Sequence, residues 1–266
     1  MGNILDEIIA FKRIEVADRK ELAPIKLLEK SPYFSTATVS LREYVLRKDK
    51  SGVIAEIKRQ SPSAGVINSN VSIERISIGY MQAGASALSI LTDSHFFGGS
   101  NEDLMEARKF NFCPILRKDF IIDEYQIVEA KSIGADAVLL IAAVLAEDEL
   151  KRLAEFAQSL GLEVLVEVHD KNEIYDVLSN VDLVGVNNRN LGDFSVSINT
   201  SIELFEYLPK NVVKVSESGI SSTESIHRLL EVGYRGFLVG EAFMKENRPE
   251  VACNRFIRGI KKRLPA

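Results

Sequence analysis

The chain has 266 residues, of which 46% are apolar and 27% charged, a composition that excludes a disordered or fibrous protein. Its 33 basic and 38 acidic residues give a net charge of −5, which argues against a general nucleic-acid binder. The two cysteines, Cys113 and Cys253, cannot form a disulfide framework and lack metal-ligand spacing. We therefore expect a reducing, cytoplasmic location and no bound metal.

The sequence carries no signal for a membrane. The longest uninterrupted apolar run, Ala137 to Ala146, is far shorter than the ~20 residues that a membrane-spanning helix requires. The N-terminal segment mixes acidic and basic residues and lacks the apolar core of a signal peptide. We expect no membrane association.

The first fifty residues are predicted to form a helical extension. Apolar residues recur at helical spacing with charged residues between them, at Ile4, Ile8, Phe11 and Val16. A weakly patterned stretch that contains prolines follows this helix. The pattern changes only after residue 50, so we expect the extension to precede the main domain.

From Val53 onward, short β-branched or leucine-rich runs alternate with amphipathic segments. The eight runs begin at Val53, Ala87, Pro114, Ala137, Glu163, Leu183, Val212 and Gly236. Several amphipathic segments end in glycine just before the next run, as expected of a helix that leads into a strand. This alternation predicts a parallel sheet, and the nearly continuous apolar strands indicate that both of its faces are covered.

Eight such units can close into a barrel or lie open as a doubly wound sheet. No Gly-x-Gly-x-x-Gly turn follows the first strand, which favours the barrel. The composition shows no break or low-complexity linker. We therefore predict a single α/β domain, with a (β/α)8 TIM barrel over residues 51–266 and the helical extension, residues 1–50, across the barrel mouth.

Charged and polar residues cluster at the predicted C-terminal ends of the strands, where (β/α)8 barrels place their chemistry. They are Glu56, Lys58, Lys118, Glu167, Asn187, Arg189, Glu217, Ser218 and Glu241. Taken singly, a charged residue at a strand end is more often a solvated loop residue than a catalyst. Their concentration at one end of the barrel favours a functional site.

Glu167 stands out because it lies inside an otherwise apolar strand. A buried carboxylate is costly unless it is paired, so this position requires a partner or a function. Lys118 and Lys58 are candidate partners across the barrel mouth, and such a set offers general acid–base chemistry. A buried ion-pair network without a catalytic role is the alternative.

Glycines after the last two strands indicate a phosphate site. Gly219 and Gly240 each precede a predicted helix, whose backbone N–H groups are suited to bind phosphate. The corresponding loops form the usual phosphate site of these barrels. Arg189 offers a bidentate contact, and Ser61 lies in a loop rich in hydroxyl groups. An ordinary helix cap is the alternative interpretation of each glycine turn.

Two further features are weaker. Phe97 lies in a glycine-rich loop after the second strand, where it is either a core residue or part of a lid or aromatic pocket. The three histidines, His95, His169 and His227, lie in separate segments without metal-ligand spacing. This separation argues against a zinc site.

Eight motifs follow one another along the chain in a characteristic order. They are IAEIKRQSPSAGVI, LTDSHFFGGS, ILRKDFIIDEYQI, GADAVLLI, LVEVH, GVNNRNL, VSESGI and LVGEAFM. Together they closely resemble the indole-3-glycerol phosphate synthase family of tryptophan biosynthesis. The resemblance extends from about Val53 to Met244, and the segment that begins ILDEII resembles the family's additional helix. Asp93 is a departure, since many members have glutamate there.

The resemblance implies ring closure of 1-(2-carboxyphenylamino)-1-deoxyribulose 5-phosphate to indole-3-glycerol phosphate, with loss of CO2 and water. It implies no cofactor and no metal. The expected ligand is a small sugar phosphate, with neither nucleic acid nor a membrane as partner. The sequence leaves open an association with other enzymes of tryptophan biosynthesis.

The resemblance also implies a role for each site residue. Lys118 is the general acid that protonates the ketone oxygen, Glu167 is the general base that helps expel water, and Lys58 holds the benzoate carboxylate or shares the acid role. The remaining residues are the orienting set Glu56, Asn187, Glu217 and Ser218, the phosphate set Ser61, Arg189, Gly219, Gly240 and Glu241, and the aromatic pocket Phe97, Phe120, Leu139 and Phe194.

Two other functions are compatible with the residues. Another phosphate-binding barrel, such as phosphoribosylanthranilate isomerase or an aldolase that forms a Schiff base through Lys118 or Lys58, would use similar side chains. A barrel that serves as a metabolite-binding or assembly subunit would have no need of Lys118 or Glu167. Their presence favours an enzyme.

Overall fold

A closed barrel of eight parallel strands forms the centre of the protein in a computed structural model, which describes residues 4–261. Two short strands, β2 (Gln60–Ser61) and β3 (Gly65–Val66), lie outside the barrel. The eight barrel strands are β1 (Val53–Ile57), β4 (Ala87–Leu91), β5 (Ile115–Lys118), β6 (Ala137–Ile141), β7 (Glu163–Val168), β8 (Leu183–Asn187), β9 (Val213–Glu217) and β10 (Gly236–Val239). Their order around the barrel is β1-β10-β9-β8-β7-β6-β5-β4. The predicted TIM barrel is confirmed, and β2 and β3 form a separate antiparallel hairpin.

Helices cover the outside of the barrel and precede its first strand. They are α1 (Ile4–Leu22), α2 (Ile25–Leu28), α3 (Leu41–Leu46), α4 (Ile73–Ala83), α5 (Asn101–Phe110), α6 (Glu124–Ser132), α7 (Glu147–Ser159), α8 (Asn199–Leu204), α9 (Thr223–Val232), α10 (Glu241–Met244) and α11 (Pro249–Lys261). Short 3-10 turns lie at Lys171–Glu173, Asp176–Asn180 and Phe205–Tyr207. Residues 1–3 and 262–266 of the predicted domain ranges lie outside the described residues.

Polar side chains fix the starts of several helices that follow the barrel strands. The hydroxyl groups of Ser72, Ser100 and Ser222 each accept a backbone N–H from the first turn of α4, α5 and α9, and the Asp123 carboxylate does so for α6. Such caps satisfy N–H groups that the helix itself leaves free. They therefore define where each loop at the mouth ends.

Side chains that alternate along the strands fill the inside of the barrel. The interior cluster includes Ile54, Leu116, Leu139, Leu165, Leu183, Val215 and Leu238, all nearly inaccessible to solvent. Their neighbours along the strands point outward and pack against the helices. The barrel is thus solid below its mouth, and the strand ends that carry polar residues are held on a rigid base.

The N-terminal extension contacts both ends of the barrel. Leu41 and Val45 of α3 are buried in the interior cluster, together with Ala87 and Val213 at the beginnings of their strands. The first turns of α1 instead line a cavity at the C-terminal ends of the strands. Among residues 4–261, none of the helices has the length and apolarity that crossing a membrane would require.

Candidate active site

A cavity of about 880 Å³, partly open to solvent, occupies the barrel mouth. Its polar lining comes from five different barrel strands and the loops that follow them: Glu56, Lys58, Lys118, Glu167, Asn187, Arg189, Glu217 and Ser218. The structure therefore brings together all the predicted catalytic and orienting residues.

Two lysine–carboxylate clusters form the centre of this cavity. The Nζ atom of Lys118 lies 3.0 Å from Oε2 of Glu167 and 3.6 Å from Oε2 of Glu217. The Nζ atom of Lys58 lies 3.0 Å from Oε1 of Glu56. Of the two candidate partners for Glu167, Lys118 makes the contact and Lys58 pairs with the carboxylate two residues before it.

Burial and charge act in opposite directions on the Lys118–Glu167 pair. Burial lowers the pKa of Lys118, but the carboxylates of Glu167 and Glu217 outweigh it and raise that pKa above its usual range. Burial also raises the pKa of Glu167, yet Lys118 and His169 outweigh it and hold that pKa well below its ordinary value. At neutral pH the pair is therefore an ammonium and a carboxylate.

Glu217 has the opposite protonation preference. Burial, opposed by Lys118 but reinforced by the nearby carboxylates of Glu167 and Glu56, raises its pKa to about 8. Its carboxyl group occupies the space that a Cβ atom on Gly185 would take. The glycine in β8 thus makes room for a third acidic group beside Lys118, and that group is largely protonated at neutral pH.

Two neighbours, Asn187 at the end of β8 and His169 directly after β7, complete the surroundings of Glu167. Asn187 Nδ2 donates a hydrogen bond of 3.1 Å to Oε1 of Glu167. Nε2 of His169 lies 3.3 Å from the same oxygen, and its Nδ1 lies 3.3 Å from Oε2 of Glu173. From the sequence we place His169 after the strand that carries Glu167 and predict no role for it. Its two-residue spacing from Glu167, which places both side chains on the same side of a strand, is the signal that identifies it.

A second cavity adjoins the first beside the last two strands. Gly219, Gly240, Glu241 and Arg189 line it, as predicted for the phosphate site, whereas Ser61 lines the mouth cavity instead. Arg189 Nη2 lies 3.3 Å from Oε2 of Glu241, so the arginine is already positioned at this rim. A Cβ atom on Gly240 would lie 2.6 Å from Oε1 of Glu56, so a side chain at this position would displace the Glu56 carboxylate.

Lys245 also lines the second cavity, although the sequence interpretation does not include it. It follows Gly240 by five residues, at the end of the short helix α10. An exposed lysine in a charged segment has no distinguishing pattern. Its place in the cavity becomes evident only when α10 is folded against β10.

The turn that joins the two cavities has an unusual backbone. Ser218 has a φ of 65°, which is rare for a residue with a side chain, and Gly219 follows with a φ of 71°. Phe194, across the mouth, also has a positive φ, of 60°. Such conformations cost energy and persist where the surrounding structure imposes them, often at functional sites.

The four predicted aromatic-pocket residues all line the mouth cavity. The ring centroids of Phe97 and Phe120 lie 5.8 Å apart, and Leu139 and Phe194 contribute further apolar surface. Asp93 accepts the backbone N–H of Phe97 at 3.1 Å, which holds the loop in place. One side of the cavity is therefore apolar and suited to a flat ring.

Helix α1 supplies an apolar wall that the sequence interpretation does not predict in detail. Ile4, Leu5 and Ile8 line the cavity.

Within residues 4–261, no group of three or more histidine, cysteine or acidic side chains is arranged as a metal site. The mouth of this (β/α)8 barrel thus combines an ammonium–carboxylate pair, apolar aromatic walls and an adjoining glycine-lined cavity, which we call the anion cavity (lined by Arg189, Gly219, Gly240 and Glu241). This arrangement is typical of enzymes that use acid–base chemistry on a small ligand.

Comparison with known proteins identifies the family. The family model described as indole-3-glycerol phosphate synthase matches residues 5–256. A protein of that name from Bacteroides thetaiotaomicron is 49% identical over 98% of this chain and 100% of its own length. One from Burkholderia lata is 45% identical over 94% of this chain and 97% of its own length. The chain belongs to the indole-3-glycerol phosphate synthase family, whose members are carboxy-lyases of tryptophan biosynthesis, so the predicted resemblance is confirmed.

Solved structures show the fold at much lower sequence identity. A mutant form of the tryptophan synthase α-subunit from Pyrococcus furiosus aligns with a TM-score of 0.60 at 14% identity, over 80% of this chain and 99% of that one. The N-acetylmannosamine-6-phosphate 2-epimerase of Clostridium perfringens aligns with a TM-score of 0.60 at 17% identity, over 83% and 96%. These similarities concern the barrel alone.

Proposed function

We propose that the mouth cavity closes the indole ring of 1-(2-carboxyphenylamino)-1-deoxyribulose 5-phosphate, with Lys118 as general acid and Glu167 as general base. The observation that carries this proposal is the 3.0 Å contact between Lys118 and Glu167, in a cavity that adjoins the anion site. In this contact each group stabilises the charged form of the other, so the acid and the base are held in opposite charge states.

The first step requires an acid at the ketone oxygen. As the ring carbon attacks the ketone, negative charge develops on that oxygen and the aromaticity of the benzoate ring is lost. The ammonium of Lys118 donates its proton to the oxygen, which becomes a hydroxyl group. The carboxylates around Lys118 keep it protonated beforehand, because they raise its pKa.

The second step releases the carboxylate as CO2 and restores aromaticity. Lys58 is suited to hold the benzoate carboxylate, because its ammonium lines the mouth and is anchored by Glu56 at 3.0 Å. An ammonium that binds this group fixes the ring in position for attack. The decarboxylation itself needs no electron sink, since the electrons return to the new ring system.

The last step removes water. Lys58, which is free once the benzoate carboxylate has left as CO2, gives its proton to the hydroxyl group, and this group departs as water. Glu167 accepts the proton that the neighbouring ring carbon loses in the same step. Its low pKa keeps it ionised and ready for this role. Asn187 orients the carboxylate through its 3.1 Å hydrogen bond, while Glu56, Glu217 and Ser218 are proposed to orient the sugar and the two lysines.

The remaining parts of the substrate fit the rest of the site. The phosphate is proposed to bind Arg189 and the backbone of Gly219, Gly240 and Glu241, with Ser61 reaching it from the mouth side. Arg189 then exchanges its contact with the Glu241 carboxylate for the phosphate. The aromatic ring is proposed to lie among Phe97, Phe120, Leu139 and Phe194.

An aldolase mechanism is disfavoured by the electrostatics of Lys118. A lysine that forms a Schiff base must lose its proton, so such sites lower the lysine pKa. Glu167 and Glu217 do the reverse here. The family match further favours the synthase over phosphoribosylanthranilate isomerase and over a non-catalytic subunit.

Two statements about the setting of the enzyme remain predictions. The buried free thiols of Cys113 and Cys253 fit a reducing cytoplasm. Association with other enzymes of tryptophan biosynthesis is tested by chromatography of the purified chain together with those enzymes.

Replacing Lys118 tests the acid assignment directly. The Lys118→Ala variant is expected to lose about 10²–10⁴-fold in kcat, the usual contribution of a positioned acid. Its affinity for indole-3-glycerol phosphate should stay near that of the original protein, because the phosphate site is untouched. The assay follows indole fluorescence as substrate is converted.

The matched control is Lys151→Ala, which removes an exposed lysine from α7 and should leave kcat unchanged. Retention of most of the rate by Lys118→Ala would contradict the proposal. So would a covalent lysine adduct trapped by borohydride in the presence of substrate, since that outcome belongs to the aldolase mechanism.

A further inference from the structure

A chain of three ionisable side chains leads away from the proposed base. Oε1 of Glu167 lies 3.3 Å from Nε2 of His169, and Nδ1 of the same ring lies 3.3 Å from Oε2 of Glu173. Both ring nitrogens thus face a carboxylate. The His169 side chain is only 11% exposed, so these contacts take place largely out of water.

Glu173 fixes the orientation of the imidazole ring. Its Oε2 also accepts the backbone N–H of His169 at 2.6 Å, which ties the carboxylate to the residue that it serves. Glu173 ends the short 3-10 turn Lys171–Glu173 directly after β7. The turn therefore presents one oxygen to both the backbone and the ring. The other ring nitrogen, Nε2, then lies 3.3 Å from Oε1 of Glu167, a charge contact without hydrogen-bond geometry.

The surroundings favour a doubly protonated ring. Burial lowers the pKa of His169, but Glu167 and Glu173 outweigh this and raise it to about 10. The other charged groups beside the ring, which line the neighbouring cavity, are Asp6, Asp170 and Arg189. Glu167 itself faces Lys118 from β5 and Glu217 from β9, in addition to His169.

A second cation matters because of what Lys118 does in the proposed reaction. When Lys118 gives its proton to the ketone oxygen, it becomes a neutral amine and Glu167 loses that counter-charge. Glu167 is 3% exposed, and a buried carboxylate without a counter-ion is strongly destabilised. Glu167 would then compete with the ketone oxygen for the proton that Lys118 releases. Once protonated, Glu167 would pass that proton back to Lys118 or to the substrate.

We infer that His169, held by Glu173, is a positioning residue that keeps Glu167 ionised and oriented while Lys118 is deprotonated. The acid and the base can then act in separate steps, because the charge of the base no longer depends on the acid alone. This inference rests on the proposed function, in which Lys118 and Glu167 have those roles. His169 does not itself need to touch the substrate.

The pH profile of kcat tests the inference. In His169→Asn a neutral amide replaces the ring. On the acid limb of the profile, where kcat falls as the pH is lowered, the midpoint is expected to move to a higher pH by about one unit or more. This is the usual effect of removing an opposite charge. KM should change little, and kcat should recover toward that of the original protein as the pH rises. An acid limb that stays in place would overturn the inference.

The control and a second variant separate positioning from simple loss of structure. His227→Asn changes a histidine on α9, outside the residues that line the mouth, and should leave the profile unchanged. Glu173→Gln keeps the hydrogen-bond acceptor but removes its charge. NMR titration of the His169 ring should then show proton loss at a lower pH than in the original protein. A ring of the original protein that titrates below about pH 7, as a free histidine does, would overturn the inference.

Glu167→Gln distinguishes failure of the inference from failure of the proposed function. If this variant keeps most of the kcat, the base assignment itself is wrong, and the inference fails with it. If Glu167→Gln loses activity while His169→Asn retains the original acid limb, only the inference fails. Loss of activity in Glu167→Gln together with a shifted limb in His169→Asn supports both.

Discussion

Glu217 is a carboxyl group whose protonation is set by its place in the barrel. It is 1% exposed and shares Lys118 with Glu167, which lies in the same cavity. Two carboxylates beside one ammonium cannot both be fully compensated, so the proton is retained by the one with the poorer contact. Glu217, 3.6 Å from the ammonium against 3.0 Å for Glu167, is that one.

This protonation predicts a pH-dependent stability at a single residue. The pKa of Glu217 is about 8 in the fold, whereas an unfolded glutamate titrates near about 4.3. The folded state therefore binds more protons between these values, and the contribution of Glu217 to stability is lost progressively as the pH rises through that window. In Glu217→Gln the group cannot ionise. The variant should exceed the original protein in Tm by on the order of 5 °C at about pH 8.5, and by much less at about pH 5.

Calorimetry at both pH values measures this difference. Glu206→Gln, a change at an exposed glutamate, is the control and should leave Tm nearly unchanged at either pH. A Tm difference for Glu217→Gln that does not vary with pH would show that Glu217 is ionised in the folded state. The Tm measurement tests only the protonation of Glu217 and does not test its proposed role in orienting the substrate.

At the scale of a single element, α1 is attached to the mouth by a buried cation. Lys12 is 1% exposed, and its Nζ lies 2.8 Å from Oδ2 of Asp93 and 2.9 Å from Oδ1 of Asp119. Asp119 directly follows Lys118, and Asp93 holds the backbone of Phe97. One lysine thus joins the helix to two of the loops that build the proposed active site.

Two lysines of the same helix offer a direct comparison of buried and exposed ion pairs. Lys12→Met leaves the buried carboxylate of Asp93 without its cation and removes one of the two cations beside Asp119, which keeps Arg117. It should lower the free energy of unfolding by about 3–5 kcal/mol. Lys20→Met breaks the 2.7 Å contact with Asp123 at a surface where Lys20 is 45% exposed, and should cost about 1 kcal/mol or less. Urea denaturation of the two variants measures both values. If both variants lost the same free energy of unfolding, the buried contacts of Lys12 would not hold α1 more strongly than the exposed contact of Lys20.

The elements differ in how far their sequence alone predicts them. Each barrel strand contains a short run of mostly apolar residues, so the predicted starts of all eight lie within a residue or two of the observed ones. The hairpin β2–β3 has two residues per strand, too few to show a period. The burial of α3 depends on closure of the barrel around Leu41 and Val45, and a contact between segments so far apart leaves no local pattern.

At the scale of the whole molecule, the barrel places β1, β5, β7, β8 and β9 around one cavity. That convergence is predictable from the sequence, because all parallel strands of a closed barrel end at the same mouth. The pairing of charges within the cavity is not, since it depends on distances across the barrel. Lys118 contacts Glu167, whereas Lys58 contacts Glu56. His169 also contacts Glu167, and its other ring nitrogen contacts Glu173 in the 3-10 turn after β7.

Because loops from several strands meet at the anion cavity, binding there should stabilise the barrel as a unit. A ligand that binds only the folded state at about 100 times its Kd contributes about 2.7 kcal/mol. In a protein of this size that corresponds to a Tm increase of roughly 5–10 °C. Inorganic phosphate also stabilises proteins generally, by exclusion from their surfaces, so the specific part must be isolated with variants.

Arg189→Ala and Arg152→Ala provide that separation. Each removes an arginine that contacts a glutamate, Glu241 at the anion cavity for Arg189 and Glu124 at a distant surface for Arg152. Tm is measured against phosphate concentration at constant ionic strength. Arg152→Ala should follow the original protein, whereas Arg189→Ala should retain only the shallow general increase, because its site lacks the bidentate contact. The same steep increase in all three proteins would move the phosphate site away from Arg189.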